Sequence, residues 1–338
     1  MTWQVIERSK VVPRLKSSLE NGRLPNAYLL VGPAHVGKMT LALNLAQALN
    51  CEAAKPPCGK CTACRKIAAG KHADVQVIGL ANGNPKEVKM KTDIGIEQIR
   101  DIQHDASLPP FEGKFKVFII DGAEQLSNEA ANCLLKTLEE PVEKVIYILL
   151  TTNEKRLPPT VVSRCQKLEM LPIAPEEIEN VLREKWQIEP TKARLLSRIS
   201  HGCPGMAVTL SQDEAMLNER TMKLENISGV LNGGIEKRFN YADQLANRFN
   251  QNRQAVQDEL DLWLDWWRDL LLLKSGNAEK IVNLDRVNEI SQMAECYSLS
   301  QIRGFIKQLQ ETTVQLRLTA SPRLALEVLM LNIPRRNG

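Results

Sequence analysis

Four short apolar runs lie in the first half of the chain, at residues 28–31, 74–78, 116–121 and 145–150. Stretches with helical spacing of apolar residues separate most of them, and a polar, turn-rich loop is expected over residues 79–91. Apolar strands that alternate with helices are typical of a parallel sheet covered on both faces. We therefore predict an α/β domain with a doubly wound parallel sheet, whose site lies at the carboxyl ends of the strands.

The strand pattern ends at Pro172, and the remainder of the chain has helical spacing. A chain of 338 residues is long enough for two or three domains. We expect a sheet domain over 1–168, a small helical module over 169–210 and an all-helical packing or oligomerisation domain over 211–338. Trp263, Trp266 and Trp267 fall at helical spacing, which favours a core or a subunit interface over a platform for stacking bases.

The first apolar run ends in GPAHVGK, which fits the phosphate-binding pattern G-x4-G-K between a strand and a helix. Gly32, Gly37 and Lys38 are the candidate phosphate ligands. The motif next requires a Ser or Thr hydroxyl for Mg²⁺, but this chain has Met39, whose thioether is a poor ligand for a hard cation. Thr40 is turned about 100° further round the helix. We expect weak phosphate binding, doubtful ATP and Mg²⁺ binding, or a turn that binds no ligand.

The third apolar run ends in Asp121, which predicts the Walker B position beside Mg²⁺, although Asp121 also fits a helix cap. Gly122 follows it where AAA+ ATPases usually carry the glutamate that activates water. Glu124 lies three residues after Asp121, and we expect its side chain to point elsewhere. Thr151 and Thr152 follow the fourth run and are candidates to face a γ-phosphate, with Thr152 preferred.

Four cysteines are concentrated in 14 residues, with the spacing C-x6-C-x2-C-x2-C: Cys51, Cys58, Cys61 and Cys64. Thiolates at this spacing converge on one ion and predict a tetrahedral Zn²⁺ site. Because four sulfurs fill the coordination shell, the zinc is expected to be structural and to hold together an insert over residues 50–66. Free or redox-active cysteines are the alternative.

Composition indicates a water-soluble globular protein, with 43% hydrophobic and 25% charged residues. The sequence has no apolar stretch of transmembrane length and no signal-peptide pattern, so we expect a cytoplasmic protein without membrane contact. The net charge of +4 does not by itself indicate nucleic-acid binding.

Seven segments spread over most of the chain form a recognisable set: GPAHVGK, the four-cysteine insert, GKFKVFIID, AANCLLKTLEEP, LPPTVVSRCQ, GCPGMA and SPRLALE. Together they resemble the clamp-loader subunits of bacterial DNA polymerase III, of the AAA+ class, and among them the delta-prime family. The resemblance implies an AAA+ P-loop domain with a zinc insert, a helical lid over 169–210 and a helical collar over 211–338.

The resemblance also implies a role and partners. It makes Arg164, in the motif Ser-Arg-Cys, an arginine finger that acts on the ATP site of a neighbouring subunit. Gly205 stands where a motor subunit has its sensor-2 arginine. The implied protein is a stator in a hetero-pentamer with gamma/tau and delta subunits, which places the sliding clamp on primed DNA. It has little or no ATPase activity of its own, while its complex belongs to the DNA polymerase III holoenzyme.

Two alternatives remain open on the sequence. An active ATPase motor of the gamma/tau type would need Thr40 or water to replace the missing Mg²⁺ ligand, and another base to replace the missing glutamate. A nucleic-acid-binding module would use cations of the cysteine insert, which are Lys55, Lys60, Arg65, Lys66 and Lys71.

Overall fold

A computed structural model describes residue 3 and residues 11–80, 93–318 and 321–336 of the chain. Packing divides the chain into a sheet unit, Met1–Ile178 with Gly202–Met206, and a helical unit, Glu179–His201 with Ala207–Gly338. The division into three domains, with boundaries after residues 168 and 210, stays a prediction. The turn-rich loop expected over 79–91 lies, from residue 81 onward, outside the described residues.

The sheet unit contains five parallel strands in the order β2-β3-β4-β1-β5. The strands are β1 Ala27–Val31, β2 Val75–Ile78, β3 Lys116–Asp121, β4 Val145–Thr151 and β5 Gln166–Glu169. The predicted parallel sheet is confirmed. The edge strand β5 was not predicted, because Leu168 is its one buried residue and its pattern therefore lacks the apolar run of the other strands.

Helices cover both faces of this sheet, so the doubly wound arrangement is confirmed as well. Side chains alternate along β1, where Tyr28 and Leu30 belong to the hydrophobic cluster on one face and Leu29 to the cluster on the other. The helices of the sheet unit, counting only its described residues, are α1 Val11–Glu20, α2 Lys38–Asn50, α3 Thr62–Ala68, α4 Ile96–Ser107, α5 Asn128–Glu139 and α6 Pro159–Val162.

The rest of the described chain is helical. Its helices are α7 Pro175–Trp186, α8 Pro190–Ile199, α9 Pro204–Gln212, α10 Glu214–Leu231, α11 Ile235–Gln251, α12 Arg253–Lys274, α13 Val287–Glu295, α14 Leu299–Arg317 and α15 Pro322–Leu331. No helix among the described residues is long and apolar enough to cross a bilayer.

Three tryptophans of α12 form the centre of the helical unit. Trp263, Trp266 and Trp267 are each 0% exposed, and the rings of Trp267 and Phe305 pack with their centroids 4.5 Å apart. Of the two alternatives left by the sequence, a core or a subunit interface, the structure selects the core.

Candidate functional site

The predicted phosphate loop connects β1 to the N-terminus of α2 and packs tightly against its surroundings. A Cβ atom on Gly32 would lie 2.4 Å from the carbonyl oxygen of Met170, so only glycine fits there. Gly37 has a φ of 106°, in the left-handed region that favours glycine. Both glycines of the motif are therefore required by the backbone, whether or not the loop binds a ligand.

The ammonium group of Lys38 is bonded by its own loop. Its Nζ donates to the carbonyl oxygens of Gly32 and Pro33, each at 2.7 Å. Burial lowers the pKa of Lys38, and the negative charges of Glu124 and Asp121 oppose this shift. In this conformation the lysine stabilises the loop.

Met39 and Thr40 follow Lys38 in the first turn of α2. The Met39 side chain packs against the hydrophobic cluster of the adjacent sheet face, so the position that carries the Mg²⁺-binding hydroxyl in the motif contributes to the core instead. Thr40 is half-buried. A role for Thr40 with a nucleotide stays a prediction.

The expectation that Glu124 points away from the site is wrong. Gly122 adopts a left-handed conformation, with φ of 74°, and leads into a 3-10 turn over Ala123–Gln125. This turn brings Glu124 back, so that its Oε1 accepts hydrogen bonds from the backbone N–H of Thr152 at 3.1 Å and from its Oγ1 at 2.6 Å. The structure thus joins the end of β3 to the end of β4 through a carboxylate that sequence reasoning set aside.

Charges at this edge of the sheet act on one another. Desolvation raises the pKa of Asp121, the ammonium of Lys38 lowers it, and the Glu124 carboxylate raises it further. Burial also raises the pKa of Glu124, but hydrogen bonds from Thr152 and Thr151 outweigh this effect and lower it. The predicted residues Lys38, Asp121 and Thr152 therefore lie in one neighbourhood, together with Glu124.

The start of α9 packs directly on the phosphate loop. The backbone N–H of Gly205 donates to the carbonyl oxygen of His35 at 2.9 Å. A Cβ atom at Gly205 would lie 2.6 Å from that oxygen. Since real Cβ atoms do not approach so closely, this backbone has no room for an arginine at position 205.

The four cysteines of the insert converge. Their Sγ atoms all lie within 4.8 Å of one another, with 4.0 Å between Cys51 and Cys61 and 4.0 Å between Cys58 and Cys64. Backbone N–H groups of Lys60 and Cys61 lower the pKa of Cys58 to about 6, whereas burial raises the pKa of Cys64 to about 12. Among the described residues this is the cluster with the geometry of a metal site.

Buried polar groups attach the cysteine segment to the sheet. Asn50 Oδ1 accepts from the backbone N–H groups of Lys114 and Phe115, at 2.8 and 2.9 Å. The carboxylate of Asp74 accepts three backbone N–H groups, from Phe111, Glu112 and Gly113, at 2.7 to 2.8 Å. Lys66, a candidate DNA contact, pairs with Glu112 and remains 43% exposed.

Arg164 lies at the surface, in the turn between α6 and β5. Its Nη1 donates to the carbonyl oxygen of Thr160 at 2.9 Å, and its Nη2 lies 2.6 Å from Oε1 of Glu139 at the end of α5. The Arg164 side chain remains 36% exposed. Sequence reasoning missed Glu139, although it belongs to the quoted segment AANCLLKTLEEP.

Comparison with known proteins gives related chains. The family model for DNA polymerase III, delta subunit, matches residues 7–174. DNA polymerase III subunit delta' of Bacillus subtilis is 31% identical over 297 residues, which are 87% of this chain and 87% of that protein. DNA polymerase III subunit tau of the same organism is 30% identical over 97% of this chain, but this chain spans only 60% of that protein. A gamma subunit-related protein from Thermotoga maritima aligns over 96% of this chain and 99% of its own, at 18% identity and a TM-score of 0.44.

Proposed function

This chain belongs to the family of DNA polymerase III subunit delta', whose members are clamp-loader subunits of the AAA+ class. We propose that it is the stator of its clamp loader. In this role it supplies Arg164 to the ATP site of a neighbouring subunit and contributes little or no hydrolysis itself. The predicted cofactor residues are then the remnant of a nucleotide site that binds phosphate weakly or not at all. These residues are Gly32, Gly37, Lys38, Thr40, Asp121 and Thr152.

One contrast carries this proposal. Lys38 is bonded by carbonyl groups of its own loop, and the half-buried Met39 packs against the core. Arg164, by comparison, has a side chain that is 36% exposed, and its contacts with Glu139 and Thr160 leave further guanidinium donors unused. A planar guanidinium in such a position suits the oxygens of a phosphate on another molecule.

We further propose that the partners are gamma/tau and delta subunits in a hetero-pentamer, which acts on the sliding clamp and primed DNA. The helical unit offers a surface for this assembly. On α15, Leu324, Val328 and Leu331 are 61%, 40% and 52% exposed and lie on one face at spacings of four and three residues. Exposed apolar stripes of this kind are typical of subunit contacts.

For the cysteine cluster we propose a structural Zn²⁺ ion bound by Cys51, Cys58, Cys61 and Cys64. A tetrahedral ion with Zn–S bonds of about 2.3 Å needs sulfur atoms about 3.8 Å apart, and the observed separations of 4.0 Å suit it. All four positions of the ion would be filled by protein, so the ion would hold α3 to the end of α2.

The test is ATP turnover by the reconstituted complex of motor subunits, delta subunit and this chain, with clamp and primed DNA. We expect Arg164→Ala to reduce the rate by roughly 10³-fold, because a finger acts on the transition-state charge. Lys38→Ala is expected to change the rate less than twofold. Size-exclusion chromatography should find both variants assembled.

The opposite pattern would support the motor alternative. If Lys38→Ala removed turnover and Arg164→Ala left it unchanged, this chain would hydrolyse ATP itself and the stator proposal would be wrong. A charge on the α15 stripe, as in Val328→Glu, should weaken assembly, whereas Met222→Glu, an exposed apolar position on α10, should not.

A further inference from the structure

Glu139 stands at a position that does not favour an acidic residue. It is the last residue of α5, where the unsatisfied carbonyl groups give the helix end a partial negative charge. A carboxylate there does not stabilise the helix. Its carboxylate instead contacts the guanidinium of Arg164.

The guanidinium is held from two sides. Glu139 Oε1 lies 2.6 Å from Nη2 of Arg164, and the carbonyl oxygen of Thr160, in the short helix α6, accepts from Nη1 at 2.9 Å. Of the five N–H donors of an arginine, these contacts use two and leave about three. An unrestrained arginine at the surface would sample many rotamers, whereas two contacts restrain this guanidinium and leave donors for a further ligand.

We propose that Glu139 is a positioning residue for the trans-acting arginine, and that it fixes the Arg164 guanidinium in the orientation needed to meet phosphate oxygens of a neighbouring subunit. The inference rests on the proposed function. This role requires a hydrogen-bond acceptor at position 139, because that acceptor and the carbonyl oxygen of Thr160 together orient the guanidinium plane. Orientation of this kind lowers the barrier by removing freedom before the reaction begins.

The experiment uses the reconstituted complex with clamp and primed DNA, and compares Glu139→Ala, Glu139→Gln and the neighbouring control Glu140→Ala. We expect Glu139→Ala to lower kcat for ATP about tenfold with an unchanged KM. Glu139→Gln keeps a carbonyl oxygen that can accept from Arg164, so its kcat should stay within about twofold of wild type. Glu140→Ala should match the wild type, and thermal melts should find all variants folded.

A double-mutant cycle separates this inference from the function on which it rests. In an Arg164→Ala background, Glu139→Ala should have no further effect. If Arg164→Ala lowers kcat but Glu139→Ala leaves it unchanged, raises it, or lowers it additively, Glu139 does not position Arg164 and the inference is wrong, while the proposed function stands. If Arg164→Ala itself is silent, the proposed function fails and this inference fails with it.

Discussion

The two ends of α2 carry two candidate sites, which differ in whether their polar groups are already bonded within the protein. At its N-terminus the phosphate loop is bonded internally, with Lys38 on the carbonyls of Gly32 and Pro33 and with Gly205 on His35. At its C-terminus four thiols face one another within 4.8 Å. The helix between them is about 20 Å long.

The two sites differ in how their polar groups are satisfied. At the phosphate loop, donors and acceptors of the protein bond one another, and a core residue replaces a ligand. In the cysteine cluster all four ligand atoms are present and are poor partners for one another, since thiols form only weak hydrogen bonds. The polar groups of the phosphate loop are bonded within the protein, whereas the four thiols have the spacing of ligands around one metal ion.

The largest effect is expected from removing one cysteine of the proposed zinc site at the C-terminus of α2. Cys64→Ser should reduce bound zinc from one ion per chain to none and leave residues 51–68 open to proteolysis, because metal binding supplies about 10 kcal/mol or more in sites of this kind. Metal analysis and limited proteolysis measure both. Cys296→Ser, at the end of α13, is the control and should retain the ion. A Cys64→Ser protein that keeps one zinc would contradict the prediction.

A smaller loss of stability is expected from weakening the hydrogen bonds of Asp74, near the cysteine cluster. Asp74→Asn should destabilise the protein by about 2–4 kcal/mol at pH 7, because a buried carboxylate that accepts three N–H groups is replaced by an amide. Asp101→Asn, an exposed change on α4, should have little effect. Urea unfolding followed by far-UV circular dichroism provides the free energies.

The same position predicts a dependence on pH. Burial raises the pKa of Asp74, but its three N–H partners outweigh burial and lower it. A depressed folded-state pKa means that the stabilisation is present above the unfolded value of about 3.9. It is lost as the pH falls through the folded value. The difference between wild type and Asp74→Asn should therefore shrink below about pH 4, and a constant difference would argue against this origin.

At the other end, the close packing on the phosphate loop can be broken by one methyl group. Gly205→Ala places a Cβ 2.6 Å from the carbonyl oxygen of His35 and should cost about 1–3 kcal/mol. Gly234→Ala, where a Cβ meets nothing within 4 Å, is the matched control. Equal unfolding midpoints for the two variants in urea would show that the loop adjusts freely.

The smallest effect concerns the turn after Asp121. Gly122→Ala should cost about 1 kcal/mol, because alanine is strained at a φ of 74°. Gly122→Asn should cost less, since asparagine tolerates the left-handed region. If both variants unfold at the wild-type midpoint, the left-handed conformation does not restrict the residue at position 122.

Strands buried on both faces were predictable because their apolar runs depend on burial alone. The edge strand β5 was not, since three of its four residues are exposed and Leu168 gives the only apolar signal, whereas the other edge strand, β2, buries Val75 and Ile78 and was predicted. Candidate ligands such as Lys38 and the four cysteines were predictable because their spacing along the chain is itself the motif.

Other parts of the site depend on the path of the backbone. The direction of Glu124 follows from the φ of Gly122, which no residue pattern specified. The pairing of Glu139 with Arg164 joins residues 25 positions apart through the packing of α5 against α6. Sequence motifs identify such residues separately, and only tertiary structure brings them together.

The burial of the tryptophans also has a spectroscopic consequence. Of the five tryptophans in the chain, Trp186 and the three in α12 belong to the helical unit, and only Trp3 belongs to the sheet unit. Intrinsic fluorescence will therefore report almost entirely on the helical unit. Among the tryptophans, only Trp3 reports on unfolding of the sheet unit, so a single fluorescence transition is dominated by the helical unit and is not a measure of the stability of the whole chain.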